Sequence, residues 1–474
     1  MRPGDGTGLS VSFPRPVSLA SCPVVMGNIR YVMPQIWPAT PCGGTMVDVE
    51  PYWELTFDAD GDVDAAQRDR LLSGAEDKRV TDLLVFAHGW NNDQRRARAL
   101  YQRFFTPFAS LTGPDVRLGY VGVLWPSMRF PDERIPDFEP SATAGALGVP
   151  GAAAPPTLDE PTRRLLAQVF PGPAQAARLD RLARLLEERS EVRSRLDEFA
   201  RHVRDLVAVP ETGPAHEFAD DTGAGEPAML TDDAVEVCEV LTAALESAGC
   251  PELLGGLRKR LWHGARELLR QGSYYAMKRR AGAVGQLGLG PALGLLCARV
   301  PRLRVHLIGH SFGARLVSYG LRGMPAGAGG VKSATLLQGA FSHYAFSERL
   351  PHDRSRGGAL HGVQQRVDGP LVACYSSHDD ALGKLYPLAS KLAGDSASFL
   401  ALWERWGAVG FDGIQATDGA RRVRLGAALP RRGCVSVDAA AVVRRGGPPS
   451  GAHSDICHEE LARVVCAAGR IGVV

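Results

Sequence analysis

The chain has 474 residues, 45% of them hydrophobic, with 54 Lys and Arg against 52 Asp and Glu. That length holds one large domain with an insertion, or two ordinary domains, and a formal charge of +2 lacks the basic excess of a nucleic-acid binder. Nine scattered cysteines, with no CxxC pair, argue against a disulfide framework and a zinc site and fit reduced thiols in a cytosol.

Residues 1–45 are rich in Gly, Pro and Ser without a sustained period, and read as a poorly ordered arm. Pro14, Pro16 and Pro23 make this stretch a poor signal peptide, and Met46 is a second candidate start. No run of eighteen apolar residues occurs, so no integral membrane span is expected and the default location is cytoplasmic.

From Pro51 the pattern changes. Tyr52–Phe57 alternates large and polar residues like a strand. Leu83–Ala87 is a short apolar run suited to a strand buried on both faces. Asn91, Asn92 and Asp93 offer caps for a helix to about Phe108, and Tyr120–Trp125 reads as another buried strand stopped by Pro126.

Residues 131–285 differ. Their edges are rich in Pro, Ala and Gly. Within them, apolar residues from Leu179 to Leu206 recur at three- and four-residue steps, and Asp232–Ala248 and Leu257–Leu269 repeat that character. An all-helical insertion is expected, either a packing module or a lid over a site. The strand–helix alternation then resumes, with strands at 305–308, 333–337, 371–375 and 434–437 and helices at 311–322 and 455–468. The expected fold is α/β, a mostly parallel sheet with helices on both faces, built from 46–130 and 286–474.

Gly309-His310-Ser311-Phe312-Gly313 follows directly on the apolar run 305–308 and opens a helical stretch. This is G-x-S-x-G in a strand–turn–helix context. A serine in a strained turn needs small neighbours two positions away on either side. The turn would lift an exposed hydroxyl clear of the sheet, at a helix N-terminus that favours a developing oxyanion. His88-Gly89-Trp90 ends the strand 83–87, whose C-terminal end shares that rim. The backbone N–H groups of Trp90 and Phe312 are the candidate oxyanion hole, with His88 holding the loop. Trp125 closes a third strand at the rim and is a candidate substrate-binding residue.

These two motifs, each following a buried strand, resemble the α/β-hydrolase superfamily in its esterase/lipase-like branch. The resemblance covers about residues 50–130 and 285–470. It implies the chain order nucleophile, acid, histidine, a carboxylic ester or related acyl substrate, and no metal or organic cofactor. Two histidines follow residue 378, His453 and His458; His453, in a loop between the last strand and the last helix, is the expected base. The acid should follow strand 371–375, which makes Asp379 the choice, with Asp380 or Asp353 as alternatives. A non-catalytic scaffold that binds a partner through the insertion is the competing expectation.

Other patterns carry less. Gly282, Gly285, Gly288 and Gly290 lack the strand and the order of a dinucleotide fingerprint. His458-Glu459-Glu460 lacks the second histidine of a zinc-protease helix. Tyr274-Tyr275 and the pair Trp403 and Trp406 read as packing residues, and Lys278-Arg279-Arg280 and Arg421-Arg422 as solvated faces.

Overall fold

The computed structural model describes residues 47–90, 92–127, 157–208, 218, 221, 228–247, 257–385, 407–447 and 450–472. The expected N-terminal arm, the leading edge of the insertion, and Trp403 and Trp406 lie outside the described residues.

Eight strands form one all-parallel sheet: β1 Tyr52–Thr56, β2 Asp82–Ala87, β3 Leu118–Leu124, β4 Arg304–His310, β5 Val331–Leu337, β6 Pro370–Tyr375, β7 Arg421–Arg424 and β8 Gly433–Asp438. Their order is β1-β3-β2-β4-β5-β6-β8-β7. Alternate side chains of β2 show why the strand is apolar from Leu83 to Ala87. Leu83, Val85 and Ala87 enter one core, and Leu84 and Phe86 enter the other. The register pairs Ala87 with Gly309, His310 with Leu337, and Tyr375 with Asp438. The residues just past β2, β4, β6 and β8 therefore meet at one rim.

Helices cover both faces. On one face α1 (Ala65–Asp77) and α9 (Phe312–Gly323) supply Leu71, Leu316 and Val317 to the core. On the other, α2 (Gln94–Phe105) and α10 (Glu459–Gly469) pack Phe104, Phe105, Leu461 and Val465. Burying each such side chain stabilises by roughly 1.5–3 kcal/mol. Asp93 caps α2, its side chain accepting from Arg96 N–H at 2.8 Å. α2 ends at Phe105, short of Phe108, because Pro107 has no N–H to continue the hydrogen-bond ladder, although Thr106 before it keeps helical angles.

The inserted stretch is helical as described: α3 Glu160–Val169, α4 Pro173–Glu188, α5 Arg193–Val207, α6 Ala234–Ser247 and α7 Leu257–Ala283. The expected boundary at residue 285 falls inside continuous helix. α7 runs through a π-helical turn, Val284–Leu289, into α8, Gly290–Arg299. One window of Arg260–Arg299 is long and apolar enough to cross a membrane by length and composition, although it holds no uninterrupted run of eighteen apolar residues. Seventy-two per cent of that window is buried inside the protein, as in a core helix.

The glycines of this stretch explain that burial. A Cβ at Gly285 would collide with the Leu316 carbonyl, and one at Gly290 would lie 2.5 Å from the Gly323 carbonyl carbon. The absent side chains let the helix press onto α9. Lys278-Arg279-Arg280 is not a solvated face. Lys278 and Arg279 are buried, and Arg280 donates to the Pro126 and Val169 carbonyls at 3.1 and 2.9 Å. Arg315 on α9 and Lys278 on α7 both reach buried Asp221, at 2.9 and 2.7 Å, locking the inserted helix to the helix that follows Ser311.

Candidate active site

Ser311 closes β4 and precedes α9 with φ 56° and ψ −119°. A non-glycine residue in such a region costs about 1–3 kcal/mol and persists only where its surroundings enforce it. Here they do. Ser311 N–H donates to the Leu337 carbonyl at 3.0 Å, and Ser311 O accepts from Ala340 N–H at 3.2 Å. A Cβ at Gly313 would meet the Ala87 carbonyl, and one at Gly309 would lie 2.5 Å from Ala314 Cα. The two glycines are required by close approach of backbone to backbone. The expectation of an exposed alcohol is corrected: Ser311 is only 3% exposed.

The hydroxyl has an imidazole beside it. His453 Nε2 lies 2.8 Å from Ser311 Oγ, and His453 Nδ1 lies 2.7 Å from Asp379 Oδ2. The His453 side chain is 15% exposed and that of Asp379 fully buried. Burial pushes the Asp379 carboxyl above its usual range, and the His453 ring pulls in the opposite direction. Oδ1 of Asp379 also accepts from Leu382 N–H at 3.0 Å. Asp380 does not take this position, and Asp353 is a partly exposed residue bonded instead to Ser355.

The loops carrying acid and base are tied together. Ala452 N–H donates to the His378 carbonyl at 2.8 Å, and Gly451, at φ +58°, packs where a Cβ would lie 2.5 Å from that same carbonyl. Asp455 fixes the base loop from the other end. It accepts from Arg444 N–H, Arg445 N–H and the Arg445 guanidinium at 2.8–3.0 Å. His458 Nε2 is 2.9 Å from Asp455 Oδ1, which turns its ring away from Ser311.

The loop after β2 packs on the serine, where a Cβ at Gly89 would lie 2.6 Å from Ser311 Cβ. His88 is buried and neutral, its pKa lowered to about 4 chiefly by burial. Its Nδ1–H donates to the Gly89 carbonyl at 2.9 Å, and Asn92 Nδ2 donates to it at 3.3 Å. In a trans peptide the N–H points opposite to the C=O, so Trp90 N–H is directed away from those donors. Phe312 opens α9, and the first N–H groups of a helix have no intrahelical acceptor. Trp125, expected to touch substrate, is 5% exposed. Its ring stacks on His88 at 5.6 Å, and its N–H donates to the His88 carbonyl at 3.0 Å, so it supports the loop from below.

Two residues of the site escaped sequence reasoning. His310 is 3% exposed, with Nε2–H donating to the His453 carbonyl at 2.9 Å and its ring 5.1 Å from that of His453. Burial and the neighbouring His453 lower its pKa to about 3, so it stays neutral. Tyr274, on α7, stands edge-on to Trp90 at 5.3 Å and 4.4 Å from the Phe312 ring. The inserted helix therefore reaches both candidate oxyanion residues. No residue spacing pointed to either contact.

A second Ser–His–Asp set lies at the opposite rim. His306 Nδ1 is 2.9 Å from Ser333 Oγ, and Nε2 is 3.0 Å from Asp82 Oδ1. Ser333 and His306 are fully buried, and Asp82 is 2% exposed. Comparison of the chain with family models, with curated proteins and with solved structures finds no match.

Proposed function

We propose that this protein is a serine hydrolase of the α/β-hydrolase type, cleaving a carboxylic ester or related acyl bond. One observation carries the reading: a strained serine, an imidazole and a buried carboxylate stand in line at 2.8 and 2.7 Å, from the ends of three different strands. The sheet order supports it too, since the β2 loop lies beside the β4 serine, where an oxyanion hole must be.

In the proposed reaction Ser311 Oγ attacks the acyl carbonyl while His453 Nε2 takes its proton. Asp379 holds Nδ1–H and stabilises the imidazolium. The N–H groups of Trp90 and Phe312 receive the tetrahedral oxyanion, and loss of one such donor costs about 3–4 kcal/mol in comparable sites. His453 returns the proton to the leaving group. Water, activated by the same imidazole, then releases the acid from the acyl-serine.

The 3% exposure of Ser311 favours a second reading, a non-catalytic scaffold of the same fold that binds a partner through its inserted helices. A fluorophosphonate probe separates the two. Labelling that vanishes in Ser311→Ala and His453→Ala, but survives in His458→Ala, supports the enzyme. An unlabelled wild type that turns over no p-nitrophenyl ester supports the scaffold.

A further inference from the structure

A cleft of about 520 Å³ has none of Ser311, Asp379 and His453 in its lining. One wall is the 349–354 turn in the β5–β6 connection; the other is the 414–422 segment leading into β7. Arg349 and Arg354 line the first wall, and Arg421 and Arg422 the second. Asp418 is the one acidic residue among the lining groups. The lining thus carries a net charge of +3 in a chain whose total is +2.

Several surface arginines elsewhere sit on carboxylates, among them Arg68 on Asp69 at 2.8 Å, Arg299 on Glu76 at 2.9 Å, and Arg463 on Glu459. Arg349, Arg354 and Arg421 have no such partner among the described residues. Arg422 is held in place without being neutralised. It donates to the Asp412 carbonyl at 2.6 Å, and its guanidinium lies over the Tyr375 ring at 5.6 Å.

Both walls are tied to the fold. Leu350 N–H donates to Arg356 O at 2.8 Å, closing the first turn. Gln415 N–H donates to His343 O at 2.9 Å, and Ile414 N–H to Ser436 Oγ at 2.9 Å. Four guanidinium forks on fixed walls match clustered oxyanions, because each fork takes two oxygens in its plane. The volume falls within the usual range for small ligands, roughly 300–1,000 Å³. Charged edge strands also deter sheet-to-sheet pairing. That explains Arg421 and Arg424 on β7, but not the two arginines contributed by the opposite wall.

We infer that this cleft binds a small polyanion bearing two or more phosphoryl or carboxylate groups. Its concave shape and the modest total charge favour a small ligand over a nucleic-acid strand. The inference is independent of the chemistry at Ser311. The test is calorimetric titration of the full-length protein at low salt with tripolyphosphate and, separately, with citrate. One equivalent should bind saturably, more weakly as salt rises, and the tighter probe identifies the oxyanion type. The double variant Arg354→Gln/Arg421→Gln should raise Kd at least about tenfold. Its melting temperature and fluorophosphonate labelling should stay at wild-type values. The control Arg68→Gln/Arg463→Gln should bind normally. Absence of saturable binding of either probe up to about 1 mM would overturn the inference. So would equal affinity in the cleft variant, or an RNA oligomer that binds more tightly than either probe.

Discussion

Replacing Gly89 with Ala tests the proposed site with a single methyl group. Its φ is not in the left-handed region, so alanine is tolerated by the backbone and any effect is steric. The added Cβ would lie 2.6 Å from Ser311 Cβ and 3.0 Å from both His310 Nδ1 and the His310 carbonyl. Ordinary contact begins at 3.4 Å, so the β2 loop and the serine must part by most of an ångström. None of these atoms is the far end of a flexible side chain. A misplacement of about 1 Å at a reacting centre costs on the order of 100-fold in rate, and a tenfold change corresponds to about 1.4 kcal/mol of barrier. We expect kcat/KM on p-nitrophenyl esters, and the fluorophosphonate labelling rate, to fall by about two orders of magnitude. Overpacking should lower stability by about 1–3 kcal/mol, read as a melting shift. Gly113→Ala, with open space around its Cβ, is the control and should change neither quantity. Wild-type turnover in a folded Gly89→Ala protein would refute the placement of the oxyanion loop against Ser311.

His310 donates to the His453 backbone, so His310→Leu should lower kcat about tenfold at similar KM, whereas His310→Gln, which keeps a donor, should recover most of it. Because His310 and His88 are held neutral with pKa values of about 3 and 4, the stability they contribute is complete above pH ~6.5 and declines as pH falls toward those values; His310→Gln should flatten that decline in a thermal melt, and an identical profile would remove the linkage. Asp221→Asn leaves Lys278 and Arg315 buried without their counter-charge and should cost about 3–5 kcal/mol by denaturant titration; the wild-type contribution of Asp221, whose pKa is lowered to about 2, is present above pH ~4 and lost below it. Tyr274→Ala uncovers Trp90 and Phe312 and should change the ratio of short- to long-chain ester turnover; a constant ratio would deny the inserted helix a role in acyl selection.

The strands legible in the sequence were the edge strand β1, by its alternation, and strands buried on both faces, by their apolar runs. Leu83–Ala87 is apolar throughout and Val305–Ile308 is broken only by the buried His306, and both lie within strands that form the centre of the sheet. β7 was missed because Arg421-Arg422-Val423-Arg424 has one apolar residue and lies at the edge, where pairing on one side is enough. The extent of α7 was missed for the opposite reason. Its polar residues Lys278, Arg279 and Arg280 looked solvated, but they meet carbonyls and Asp221 supplied from distant segments. Gly282, Gly285 and Gly290 of the glycine-rich stretch are contact points with α9. Ser311, Asp379 and His453 could be selected because strand ends in a parallel sheet share a rim and because chain order restricted the search. His310 and Tyr274 could not, since their partners are a backbone carbonyl and two aromatic rings, and neither leaves a spacing in the sequence.

The two Ser–His–Asp sets of this molecule show what proximity alone is worth. The set at 333, 306 and 82 has bond lengths of 2.9 and 3.0 Å, close to those around Ser311. Its serine, however, lies within strand β5, with no positive φ and no helix N-terminus following it. Its histidine is fully buried and faces the serine through Nδ1, and Asp82 is shared with Arg304 at 3.2 Å. Burial pushes the Asp82 carboxyl up, but the bonds from His306 and the charge of Arg304 prevail and keep it low. These groups complete one another's hydrogen bonds, as buried polar groups must. At Ser311 the balance differs. The backbone is strained, the imidazole is partly exposed, and a helix begins at the next residue. Strain and an incompletely covered base have a cost that a purely structural triad has no reason to bear. That difference, more than any distance, separates a candidate reaction centre from a satisfied core.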